Sequence, residues 1–76
     1  MKLYLIEASC SWYDSYNSAI VAAKDEEDAK TIHPDGSAGW STQTWVDKPE
    51  QVTATLVGTP IRGTKRGVIL ASFNAG

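Results

Sequence analysis

The sequence predicts a small α+β domain: a four-stranded, mainly antiparallel sheet in the order β-β-α-β-β, with one short helix on one face. Three observations predict it. Four apolar runs of strand length are separated by polar or Gly/Pro-rich stretches. One acidic tetrad, Asp25-Glu26-Glu27-Asp28, is followed by apolar residues three apart and then by Pro34. A chain of 76 residues has room for a single domain, 1–76, and buries only roughly 60% of the surface its unfolded form exposes.

The first strand reads Lys2 to Ala8, with Leu3 and Leu5 on one face and Tyr4, Ile6 and Ala8 on the other, so both faces are expected to be partly covered. Ser9 to Asn17 reads as a polar loop, and Ser18 to Ala23 as the antiparallel partner of the first strand. In the acidic tetrad Asp25 is placed to cap a helix and Asp28 falls at its third position, where carboxylates favour the helix N-terminus. Ala29 and Ile32 give that helix a narrow apolar stripe, and Pro34 with Asp35-Gly36 ends it, so about two turns, Asp25 to Ile32, are predicted.

A long irregular connection follows from Gly36 to Pro49, a length that tends to mark functional or mobile segments. Gln51 to Val57 is the third strand, Gly58 to Gly67 a turn region, and Gly67 to Phe73 the last strand. Val68-Ile69-Leu70-Ala71 is apolar on both faces, a pattern that belongs in the middle of a sheet. The predicted strand order is therefore 2-1-4-3, with the first and last strands central.

Composition narrows the function. With 42% hydrophobic and 21% charged residues the chain is globular rather than disordered. A net charge of −2 and a pI near 5.1 argue against nucleic acid as a partner, and the charge is too small for a DNA mimic. The single cysteine, Cys10, leaves no intramolecular disulfide, which points to the cytosol. The run Leu3 to Ile6 is too short for the core of a signal peptide, and no segment approaches the roughly 20 apolar residues of a membrane span.

Catalytic and metal readings find little support, so no enzyme, no metal and no cofactor are expected. Zinc needs three or four His, Cys or carboxylate ligands, and the chain has one His and one Cys. Cys10 and His33 could form a thiolate pair with Asp14 or Asp35 orienting the imidazole, but nothing in their spacing supports it. Gly58-Thr59-Pro60-Ile61-Arg62-Gly63-Thr64-Lys65 approaches the glycine spacing of a phosphate-binding loop. There, however, Lys precedes Ser/Thr and a helix follows; here the order is Thr64-Lys65 and a strand follows.

Two groups remain as binding candidates. Arg62, Lys65 and Arg66 concentrate positive charge in one turn, as an anion-binding site, a charged rim, or a solvated hairpin. Trp12, Tyr13, Tyr16, Trp40 and Trp45 fall in the predicted loops, either as partner-binding anchors or folded back to complete the core.

The segments Met1-Lys2-Leu3-Tyr4-Leu5, Tyr13-Asp14-Ser15-Tyr16 leading into Ala19-Ile20-Val21-Ala22-Ala23, Ile32-His33-Pro34, and Arg66-Gly67-Val68-Ile69-Leu70-Ala71-Ser72-Phe73-Asn74 look like those of short tailed-bacteriophage accessory proteins. The strand-strand-helix-strand-strand plan also resembles that of some small anti-CRISPR proteins. The resemblance implies a setting, a phage gene acting in the host cytoplasm, and no functional residue. The expectation is a viral accessory protein that binds and inhibits or redirects a host bacterial protein, as an anti-defence factor would. The alternative is a binder of a phosphorylated small molecule, such as a sponge for a nucleotide signal. A homodimer would suit either, since edge strands in so small a sheet invite pairing.

Overall fold

The computed structural model describes residues 1–8, 15–36, 45–46 and 49–74. Its elements are β1 (Lys2–Ala8), β2 (Ser15–Ala23), α1 (Glu26–Lys30), a short 3-10 turn (Pro49–Gln51), β3 (Val52–Gly58) and β4 (Gly67–Asn74). The four strands form one open sheet in which every neighbouring pair is antiparallel, and the single helix lies on one face, as the α+β plan requires.

The strand order is β3-β1-β2-β4, which corrects the predicted 2-1-4-3. β1 and β2 form the centre, with Lys2 opposite Ala23 and Glu7 opposite Ser18. β3 adds to the outer side of β1, and β4 to the outer side of β2. β2 is also longer than its apolar run suggests, because Ser15, Tyr16 and Asn17 belong to the strand rather than to the preceding loop. The extra length gives β4 a partner along its whole course, from Ala22 opposite Gly67 to Ser15 opposite Asn74.

Helix α1 is shorter than predicted, but its start is built as expected. Asp25 is the N-cap: its Oδ1 accepts from the Asp28 backbone N–H at 2.8 Å. Asp28 reaches back, its Oδ2 accepting from the Lys24 N–H at 3.2 Å, so two donors at the helix start are satisfied. The predicted apolar stripe faces inward, since Ala29 and Ile32 are both buried.

The core lies between α1 and one face of the sheet. β1 contributes Tyr4 and Ile6, β2 contributes Ala19, Val21 and Ala23, and β3 contributes Val52. Trp45 and Val46 close it from the long connection, and both are buried. Irregularities in the pairing decide which β4 residues join. Val21 pairs with Val68 while Ile20 pairs with Leu70, so Ile69 is an extra, bulged residue. The bulge sends Val68 and Ala71 toward the core and Leu70 to the opposite face, breaking the simple alternation.

Candidate binding surface

The connection from β3 to β4 must cross from one edge of the sheet to the other, about 14 Å at ordinary strand spacing. It passes the chain's first residue, Met1, with which Thr59 to Thr64 line an open cavity of about 350 Å³. Its tip is a tight turn. The Ile61 carbonyl accepts from the Thr64 N–H at 3.2 Å and from Thr64 Oγ1 at 2.7 Å. Gly63 sits at φ +90°, a left-handed conformation that favours glycine. At this turn Ile61 is 84% exposed, with Arg62 and Lys65 exposed beside it.

Arg66, the third member of the predicted basic cluster, is used otherwise. Its Nε lies 3.0 Å from both Oδ1 and Oδ2 of Asp28, and its Nη2 lies 3.0 Å from Oδ1. Nη2 also donates to Thr31 Oγ1 at 3.1 Å, and that hydroxyl donates to the Asp28 carbonyl at 2.7 Å. The Arg66 hydrogen bonds hold the Asp28 carboxyl below its usual range; burial opposes them, and the Lys24 N–H assists. The same bonds raise the Arg66 guanidinium further above its already high value. Arg66 therefore fastens the start of β4 to the helix start, and its charge is spent there rather than on an outside anion.

The predicted aromatic anchors separate. Trp45 is a correction: at 0% exposure its indole is part of the core and cannot meet a partner. Its Nε1 has no hydrogen-bond partner among the described residues. Tyr16 is half-buried on β2 and packs against the core. Trp12, Tyr13 and Trp40 lie outside the described residues.

His33 connects the two described anchor candidates, edge-on to Tyr16 at 6.3 Å between centroids and to Trp45 at 6.5 Å. It is buried, and its Nδ1 lies 3.1 Å from the Asp35 backbone nitrogen and 3.0 Å from Asp35 Oδ1. Asp35 thus lies beside the imidazole, its backbone N–H donating to Nδ1. The ring, however, packs under Tyr16 and Trp45, while Cys10 and Asp14 fall outside the described residues.

Among the described residues no group of three or more His, Cys, Asp or Glu could hold a metal ion, and no helix is long and apolar enough to cross a membrane. A second open cavity, lined by Glu27, Lys30, Thr31 and Glu50, is dominated by surface charge. Lys30 there already lies 3.9 Å from Glu26 and 4.0 Å from Glu27. In comparisons with known proteins, no family model, no curated protein and no solved structure matches this chain.

Proposed function

We propose that the chain works by binding a protein, and that its described contact surface is the braced turn Thr59 to Lys65. The observation that carries this is Ile61, a large apolar side chain 84% exposed in a turn whose backbone is closed by hydrogen bonds from Thr64. A rigid apolar tip flanked by Arg62 and Lys65 is the pattern of a small hot spot with a charged rim: the tip supplies affinity, the rim supplies on-rate and orientation. The resemblance to tailed-phage accessory proteins supplies the setting. There the partner is a host bacterial protein in the host cytoplasm, inhibited or redirected by being bound, as an anti-defence factor would do. Binding suffices for such a role and catalysis is not required.

The test is affinity capture from a bacterial host lysate with the wild-type chain and with Ile61→Asp. One host protein retained by the wild type should be lost or weakened at least about tenfold by Ile61→Asp, with folding unchanged by circular dichroism, because hot-spot truncations cost about 2 kcal/mol or more. Retention of the same protein by both chains would remove Ile61 from the interface. The open cavity beside Arg62 favours one second reading, a phosphorylated small molecule held at the turn. That reading predicts a nucleotide released on denaturing the purified protein and lost with Arg62→Ala.

A further inference from the structure

The chain leaves the sheet at Gly58, opposite Leu3, and rejoins it at Gly67, opposite Ala22. Residues 59–66, between those points, belong to no strand ladder. Among the described residues their hydrogen bonds and ion pairs fall into two sets. Thr64 bonds back to Ile61 within the turn, and Arg66 reaches out to α1 and Thr31. The turn closes on itself, and Arg66 is its polar tie to the rest of the described protein.

That tie has the geometry of a clamp. Nε of Arg66 lies 3.0 Å from both carboxylate oxygens of Asp28, Nη2 lies 3.0 Å from Oδ1, and Nη2 donates to Thr31 Oγ1 at 3.1 Å. The acceptors are themselves held. Asp28 Oδ2 accepts from the Lys24 N–H, and Thr31 Oγ1 donates to the Asp28 carbonyl. The Asp28 side chain is 14% exposed, so water competes little for it. A planar guanidinium meets these acceptors together, in a way that the point charge of a lysine does not.

We propose that Arg66, Asp28 and Thr31 are positioning residues for the turn Thr59 to Lys65, fixing where Ile61 and Arg62 stand before a partner arrives. The purpose of this rests on the turn being the contact surface; the physical effect does not. A crossing tied only at its ladder ends samples many conformations, and each residue ordered on binding costs affinity. With Arg66 clamped directly after Lys65, that ordering is completed in folding. None of the clamp residues has to touch the partner.

Backbone relaxation of the free chain tests the clamp with no partner present. Wild-type amides from Ile61 to Lys65 should have order parameters of about 0.85, the value of rigid backbone. In Arg66→Lys, which keeps the charge and loses the fork, they should fall below about 0.6. Asp28→Asn should act in the same direction. Ala71 and Ser72, held in the ladder with β2, should keep their order in both variants. Lys30→Ala, which removes the pairs with Glu26 and Glu27 on the same helix, should leave the turn unchanged.

Equal order in the turn of wild type and Arg66→Lys would overturn the proposal. So would a loss of order in β4 as large as that in the turn, which is the mark of a merely structural role. Should the variants fail to fold, the wild type still decides: the Arg66 Nε–H should be as ordered as the backbone, and a mobile Nε–H overturns the clamp. Binding supplies a separate arm. Where Ile61→Asp loses the captured host protein, Asp28→Asn should weaken its capture about tenfold, and undiminished capture overturns the positioning role. Retention by Ile61→Asp sinks the contact reading alone, since the order parameters are read without a partner.

Discussion

β1 and β4 carry similar apolar runs, Leu3-Tyr4-Leu5-Ile6 and Val68-Ile69-Leu70-Ala71, yet they meet different surroundings. In β1 alternate residues, Tyr4 and Ile6, are buried under the helix, while Leu3 and Leu5 are half-covered between two flanking strands. In β4 one side of the strand has no described neighbour, and Leu70, in register with Ile20 and through it with Leu5, stands mostly in solvent. Hydrophobicity states that a strand can be buried; it does not state where the strand sits. Placement follows from what fixes the ends: the crossing of residues 59–66, the Arg66–Asp28 fastening, and a β2 long enough to pair with all of β4.

The sharpest way to break this comparison is to empty the β1 side of it. Ile6 is fully buried among Ala19, Ala54 and the rest of the core. Ile6→Ala removes its packing and leaves a cavity, which should cost about 2–5 kcal/mol. In so small a domain that is a large share of the total stability. The denaturant midpoint measures it, and a midpoint shift no larger than that of an exposed β4 substitution would contradict the account of the core.

An intermediate effect belongs to the fastening that places β4. Asp28→Asn loses the charge-assisted bonds to Arg66, partly screened because the guanidinium is half-exposed, and should cost about 1 kcal/mol at neutral pH. The pH dependence carries a definite sign. Because the folded Asp28 carboxyl is held below its unfolded value, the pair's contribution is fully present above about pH 4 and is lost as pH falls through the depressed folded value. The stability gap between wild type and Asp28→Asn should therefore narrow on acidification below that point. A gap that stays constant into strong acid would show that Asp28 acts through something other than its charge.

The difference between these regions also explains what could be read from the residues in advance. The fold class, the four strands, the Asp25 cap and the inward stripe of Ala29 and Ile32 were legible because each is a local signal: an apolar run, a capping residue, a three-residue spacing. The order of the strands was not, because it depends on pairings between distant segments, β3 with β1 and β4 with β2, which have no local signature. The bulge at Ile69 was equally hidden, and it decides that Val68 faces the core while Leu70 faces away. Among the candidate site residues, the turn charges Arg62 and Lys65 stand exposed as expected, whereas Trp45 completes a core that a short helix leaves uncovered. The signal for Ile61 was present as a lone β-branched side chain between Pro60 and Arg62, a place where turns usually put polar residues.

The smallest effect should come from the residue that sequence pattern makes most central. If β4 lay inside the sheet of one chain, Leu70→Asp would bury an unpaired carboxylate and abolish folding. At 69% exposure on an edge strand the carboxylate instead remains in water. Its removal of apolar contact with Ile20 is partial, and the β-propensity lost is modest. Leu70→Asp should therefore change stability by no more than about 0.5 kcal/mol, the range of surface substitutions. Thermal unfolding followed by circular dichroism reads this directly. Loss of the folded baseline would return β4 to the centre of the sheet. A near-native transition would confirm the strand at the edge of the sheet.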